Sequence, residues 1–299
     1  MNAAIDAVVA LLLISAAVGV VVTGGASTPG PEAGRADAVA DALAATTAAV
    51  NYSLAPGVRR LDRSGRRPTP QFRVGASQLR RTAHGSLAGL LARAATASSG
   101  VAVDTAERPE RDPLTQTRAG FRRAVRDAVR ARTGAGVRVD AVWRPYPDAP
   151  VGGHAGVGPK PPGDDVHAAT LTIPTGVEPI PAEATGSFGT LGRAVAARTV
   201  EILVPHDAAR ITLRGDDPEA ALVAHRYARL AVATNTSVTG PLATEDTAAA
   251  NARLTDALAT RMATDLRSEY DRPSRAAEAV SVSSVRTVVR TWGGPSGGE

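Results

Sequence analysis

The sequence predicts an α+β fold, with a mixed helix and antiparallel-sheet body behind an amino-terminal transmembrane helix. Three observations lead there. Ala3–Val22 is an apolar run with a single charge, Asp6. The body carries helix-period stripes of Leu, Val and Ala. It also carries Val- and Thr-rich alternating segments that lack the regular crossover spacing of a parallel α/β sheet.

Ala3–Val22 matches the roughly 20 residues that a helix needs to cross the hydrocarbon layer. A cleaved signal peptide would open on a basic region, and no Lys or Arg precedes this run; Ser15, Ala16 and Ala17 offer an Ala-x-Ala-like cleavage site as the alternative. A buried helix of a soluble protein would be apolar on one stripe rather than all round. Residues 1–22 are therefore expected to be the anchor, 23–34 a Gly/Pro/Ser/Thr linker that lifts the body off the membrane, 35–292 the body and 293–299 a flexible tail. A division of the body near 174–186 is left open. Only the amino terminus and Arg35 fall close enough for positive-inside counting, which does not decide the matter, so orientation rests on two sequons. Asn51-Tyr52-Ser53 and Asn235-Thr236-Ser237, candidate glycosylation sites, favour a body outside the cytoplasm.

Along the body, Arg35–Ala45 reads as a helix and Asn51–Leu54 as a strand. In Pro56–Arg73 the mutual repulsion of Arg59, Arg60, Arg63, Arg66 and Arg67 predicts a mobile loop. Ser77–Ala97 reads as a helix with Leu79, Leu87, Leu90 and Leu91 on its apolar face. Leu114–Thr133 is the clearest amphipathic helix. Phe121, Val125, Ala128 and Val129 line one side, Arg118, Arg122, Arg126 and Arg130 recur every fourth residue on another, and Gly134 and Gly136 end it.

Val137–Trp143 alternates as a half-buried strand and runs into a Pro/Gly loop, Pro145–Gly163. Val166–Ile173 is a second alternating strand, expected to pair directly with the first across that loop. Helices follow at Ser187–Val204, Asp216–Thr234 and Thr244–Tyr270, the last with Ala250, Leu254, Leu258, Met262 and Leu266 at spacing four. Ala279–Trp292 carries the strongest strand signal.

Composition narrows the chemistry. Cysteine is absent, which excludes disulfides, thiolate catalysis and Cys-based zinc sites. Aromatic residues make up 3 %, and the apolar 43 % is mostly Ala and Val, so the core is expected to be packed from small side chains. Lys160 is the only lysine, and Val58–Arg144 has a net charge of +12 against −7 for the remainder. Such a split can mark an anionic partner, or it can be a solvated face whose arginines pair with acids elsewhere. Scarce aromatics and the lack of a reading motif argue against nucleic acid.

Gly153-His154-Ala155-Gly156-Val157-Gly158-Pro159-Lys160 resembles a phosphate loop, but Pro159 intervenes, Pro161 stands where a hydroxyl is needed, and no helix follows. Nucleotide binding is rejected on that context, and no cofactor is expected. His84, His154, His167, His206 and His225 show no paired-ligand spacing. His84-Gly85-Ser86 lacks the glycine of a nucleophile elbow, and His206-Asp207 could serve as an acid and base pair only if folding made them face a substrate. No residue is assigned a catalytic or metal-binding role. The arginine row is the candidate surface for an anionic partner.

The opening IDAVVALLLISAAVGVV, and then DAVADALAATTAAVNYSLAPG, RRTAHGSLAGLLA, FRRAVRDAV, VWRPYPDAPV and DVHAATLTIP, resemble an uncharacterised family of haloarchaeal membrane-anchored proteins over most of the chain. The resemblance implies a single-span envelope protein encoded beside type IV pilus-like or type II secretion-like assembly genes. It transfers no catalytic or binding residue. The expectation is a non-enzymatic component of such an assembly acting through protein contacts, held in lipid by residues 3–22. A fixed accessory role fits better than a filament subunit, since no basic leader precedes the apolar run. A tethered or secreted binding module for anionic glycans or lipids is the alternative, and a membrane-tethered hydrolase the second.

Overall fold

Alternation in three of the segments read as strands places their apolar residues on one face of a single antiparallel sheet. The computed structural model describes residues 21–22, 33–63, 77, 79–102, 111–114, 119–163, 165–215 and 218–293. In it β6 (Val137–Trp143), β8 (His167–Pro174) and β9 (Ser284–Thr291) turn Val139, Ala141, Leu171, Val285 and Val289 inward, and all five are buried. β6 and β8 do not pair with each other, contrary to the expectation. β9 lies between them, with Val288 opposite Asp140 on one side and Thr170 on the other. The Val- and Thr-rich run is the best strand former in the chain and takes the position that is hydrogen-bonded on both edges.

The Pro/Gly stretch expected as a loop contains a strand, β7 (Val151–Val157), paired antiparallel with β6. Its glycines permit close approach. A Cβ on Gly153 would collide with the Ala95 carbonyl oxygen at the end of a packed helix. β4 (Gly100–Ala102) and β5 (Arg111–Pro113) extend the sheet beyond β7. At the other side β1 (Val21–Val22) pairs with β8, Val21 opposite Thr172. The last two residues assigned to the spanning helix are therefore a strand, which meets the backbone groups that β8 would otherwise leave unpaired. Residues 3–20 of the expected span lie outside the described residues. Among the described residues no helix is long and apolar enough to cross a membrane.

Against the inner face of the sheet lies α3 (Leu87–Thr96), with Leu87, Ala88, Leu90, Leu91, Ala92, Ala94 and Ala95 buried. A helix apolar nearly all round belongs at the centre of a fold, and α3 contacts β6, β7, β8 and β9 as well as α1 (Ala33–Ala45). Ser77–Ala97 is thus not one helix. Its first part is β3 (Arg80–Ser86), which pairs with β2 (Thr47–Ser53) in a separate two-stranded sheet. Ser86 ends the strand and caps α3, its Oγ accepting from the Gly89 N–H at 3.1 Å.

The basic stretch expected as a loop begins with α2 (Ala55–Arg63). Leu61 on its inner side is buried with Leu54, Leu79 and Leu222, and Val58 packs against them. Repulsion between like charges one turn apart costs only about 0.2–0.5 kcal/mol per pair, whereas burying a leucine contributes about 1.5–3 kcal/mol. Burial wins. Residues 64–76 lie outside the described residues.

The amphipathic helix is α4 (Ala119–Arg130), shorter than expected at both ends. Pro113 closes β5, and Leu114 is tied back by its N–H to Ser99 O at 3.0 Å. Between β8 and β9 the chain forms a helical layer. α5 (Phe188–Leu203) opens on a Ser187/Thr190 capping box and packs along α9 (Thr247–Glu269). α6 (His206–Leu213), not foreseen, precedes α7 (Pro218–Ala233); α8 (Thr239–Ala243) and α10 (Pro273–Ala279) are short. α10 and a turn at Ser281–Ser284 occupy the front of the segment read as a strand from Ala279. Tyr227 is buried, and its hydroxyl donates to Asn251 Oδ1 at 2.8 Å. The architecture is α+β with antiparallel sheets, as the sequence predicts.

Gly153→Ala is expected to lower stability by about 1–3 kcal/mol through overpacking against Ala95, read as a lower urea midpoint. Gly134→Ala, which meets nothing within 4 Å, leaves the midpoint unchanged.

Candidate functional site: an arginine-lined groove

On α4 the 3.6-residue period turns Phe121, Val125 and Val129 inward, where all three are buried. The same period stacks Arg122, Arg126 and Arg130 one turn apart on the adjacent side. That side borders a groove of about 640 Å³ whose other wall is formed by Arg138 of β6 and by His154 and Gly156 of β7. Arg123 and Asp127 complete the helix wall.

The two walls differ electrostatically. Among the described residues, no hydrogen bond or ion pair reaches Arg122, Arg123, Arg126 or Arg130, and Arg122 is half-buried. Burial, and then repulsion from Arg126, lowers the pKa of Arg122 from its ordinary value. On the strand wall a carboxylate offsets part of the positive charge. Asp140, its side chain 18 % exposed, accepts from Arg138 Nε at 2.9 Å and Nη2 at 2.6 Å and from Arg290 Nη1 at 3.0 Å. His154 Nε2 lies 2.9 Å from the same carboxylate. Burial is the largest single influence on Asp140 and works against ionisation. The bonds from Arg138 and His154 together outweigh it and hold the carboxyl below its ordinary value. Arg138 is fixed further by donating from Nη1 to Gly158 O at 2.6 Å, and it lies close against Gly156, where a Cβ would strike its guanidinium.

Ser98 stands near His154 but is not a nucleophile. Its Oγ accepts from the His154 N–H and lies 2.7 Å from both the His154 and Ala95 carbonyl oxygens, which compete for its one proton. It brackets the strand edge. His84 lines another cleft, of about 460 Å³, where the neighbouring Ser86 hydroxyl already serves as a helix cap. His206 Nδ1 and Asp207 Oδ1 are 3.4 Å apart at the exposed start of α6. Among the described residues no group of three or more His, Asp or Glu side chains could hold a metal ion.

Of the four arginines predicted as an anionic-partner surface, the structure brings Arg122, Arg126 and Arg130 together; Arg118 lies outside the described residues. Asn51 is exposed on β2 and accepts from Thr82 Oγ1 at 2.7 Å, and Asn235 is exposed in a left-handed turn after α7. Sequence reasoning missed Arg123, Arg138, Asp140 and His154. Arg138 and Asp140 share one face of a strand by parity, which was a usable signal; His154 comes from a strand read as a loop. The glycine-rich stretch that resembles a phosphate loop is β7 itself.

The model of a family described as "Family of unknown function (DUF7284)" matches residues 5–292, and the chain belongs to that family. No curated protein and no solved structure matches the chain. The family's extent agrees with a resemblance over most of the chain, and its description names no activity.

Because the folded carboxyl of Asp140 lies below the ordinary 3.8, its stabilising contribution is present above that value and is lost as pH falls through the lower, folded one. Asp140→Asn is expected to cost about 1.5–3 kcal/mol at pH 7, by removing the carboxylate charge and one of the two acceptor oxygens that Arg138 and Arg290 share. Urea titrations should show the gap between parent and variant narrowing once the pH drops below about 4.

Proposed function

We propose that this family member is a non-enzymatic, membrane-anchored component of the cell envelope whose body holds an anionic partner in the groove along α4. The observation that carries the reading is the unpaired arginine row. Some exposed guanidiniums elsewhere find carboxylates, Arg193 with Asp256 at 2.6 Å, Arg275 with Glu278 at 3.0 Å and Arg214 with Glu245 at 3.2 Å, while others such as Arg132 and Arg286 find none among the described residues; what sets α4 apart is that its unpaired arginines stand in a row along one groove. On α4 three like charges stand about 6 Å apart along the axis, at a cost of about 0.2–0.5 kcal/mol per neighbouring pair. An anion with several charges removes that repulsion and meets planar groups suited to bidentate bonds with carboxylate, phosphate or sulfate.

The envelope placement rests on two supports. One is the length and uniform apolarity of residues 3–20, still within the range of about 17–25 residues for a span, which suit a single crossing with the body outside the cytoplasm. The other is the resemblance to haloarchaeal proteins encoded beside pilus-like or secretion-like assembly genes. Pairing of Val21 and Val22 with the sheet edge would hold the body close to such a bilayer, since contact with it precedes the 23–34 stretch. The groove then supplies the protein contact that an accessory component of an assembly needs.

Fractionation of native cells followed by intact-mass measurement is expected to find the chain in the membrane with Ala3–Val22 retained. Unprocessed chain in the soluble fraction contradicts the anchor. For the groove, the full chain in mild detergent is titrated at low salt with polyglutamate, a sulfated glycan and phosphatidylglycerol vesicles. The combined replacement Arg122→Gln, Arg126→Gln and Arg130→Gln is expected to weaken the tightest of these by about tenfold or more and to flatten its salt dependence. Equal binding by parent and variant contradicts the reading.

A further inference from the structure

We infer that the occupant of the groove is an extended acidic segment of a partner protein, which adds a strand to the outer edge of β7. The inference rests on the anionic-partner reading above and specifies its chemistry. It comes from the hydrogen-bonding parity of β7. In an antiparallel pair, residues alternate between those whose N–H and C=O face the neighbour and those whose groups face away. The His154 N–H and C=O both meet Ser98 Oγ, so His154 faces away from β6. Gly152, two residues earlier, faces the same way and is paired there with Gly100 of β4. Gly156, two residues later, must also face outward, and that edge opens into the arginine groove. Along one edge the first rung is thus taken by β4, the second is bracketed by a serine hydroxyl, and among the described residues no strand occupies the third.

The spacing of the opposite wall fits a strand. Arg122, Arg126 and Arg130 rise about 6 Å per step, or about 12 Å in all. Side chains on one face of an extended chain recur about every 6.6–6.8 Å, so three alternate carboxylates span about 13 Å. α4 packs against α3 on the inner side of the sheet, so one face of an added strand would meet the arginine row while the other faces Arg138 and His154. A lipid headgroup or a sulfated glycan could meet the guanidiniums, but neither repeats an N–H and C=O pair for Gly156. The contrary reading is that the arginines blunt an exposed edge against unwanted pairing.

The probe is an acetylated and amidated peptide, Glu-Val-Glu-Val-Glu, with two analogues carrying N-methyl groups on the two Val nitrogens or on the three Glu nitrogens. Titrated at low salt into the full chain in mild detergent, the parent peptide is expected to bind. An added strand uses the N–H groups of one parity only, so one methyl pattern should weaken binding by about tenfold or more while the other stays close to the parent. Equal binding of all three, abolished by the triple Gln replacement, retains the anion groove and overturns the added strand. Binding of phosphatidylglycerol vesicles or the sulfated glycan without any binding of the peptide overturns it too. No binding of any of the three polyanions removes the underlying reading as well.

Discussion

The structure depends on the insertion of its last strand into the middle of the sheet. β9 is hydrogen-bonded to β6 on one edge and β8 on the other, and it carries Val285 and Val289 into the core. Without it β6 and β8 would each bury an open ladder of N–H and C=O groups, and unpaired backbone groups in a core are costly. The arrival of β9 also places Arg290 beside Asp140, more than half the chain away in sequence. Two tethers fasten its approach. Trp143 Nε1 donates to Val282 O at 2.9 Å, and the Ser281 N–H donates to Pro145 O at 2.8 Å. Pairings this distant in sequence imply a topology whose folding waits on the carboxyl-terminal segment.

That arrangement decides which charges are left over. Asp140 lies between two arginines and a histidine and is held by all three, so the strand wall of the groove is fixed in geometry and its positive charge is partly offset. α4 has no such acceptor. Its inward residues are bound to the core by Phe121, Val125 and Val129, while Tyr52 meets Phe121 edge-on at 5.2 Å and Arg93 lies over the same ring. The helix cannot turn to relieve its arginines without exposing those anchors. A row of unneutralised guanidiniums on a fixed helix is the outcome, and the fixed backbone sets their spacing before a ligand arrives, leaving only the side chains to be ordered.

Much of the fold was legible from periodicity. The stripe of Leu254, Leu258, Met262 and Leu266 gave α9, and the alternation V-R-V-D-A-V-W gave β6. The failures share a cause, which is that a local signal was overruled by a tertiary one. Arginine repulsion in Pro56–Arg73 hid α2, whose stability comes from leucines that meet Leu222 of another helix. Glycine and proline hid β7, because glycine weakens a strand unless a neighbour must come close, and the neighbours here are Ala95 and the Arg138 guanidinium. Half of the groove was visible for the same reason. Arg122, Arg126 and Arg130 follow from the helical period alone, whereas the wall they face required knowing that β7 exists and that β9 displaces β8 from β6.

The most direct test of an arginine row held ready for an anion is to observe the guanidiniums themselves. Arginine Nε–Hε resonances of the full chain in mild detergent, followed during titration with polyglutamate at low salt, distinguish the α4 arginines from those already paired. The account predicts that Arg122, Arg126 and Arg130 shift together and saturate with one affinity while Arg193 and Arg275 stay in place. Shifts spread evenly over all exposed arginines, or confined to residues outside α4, would contradict it.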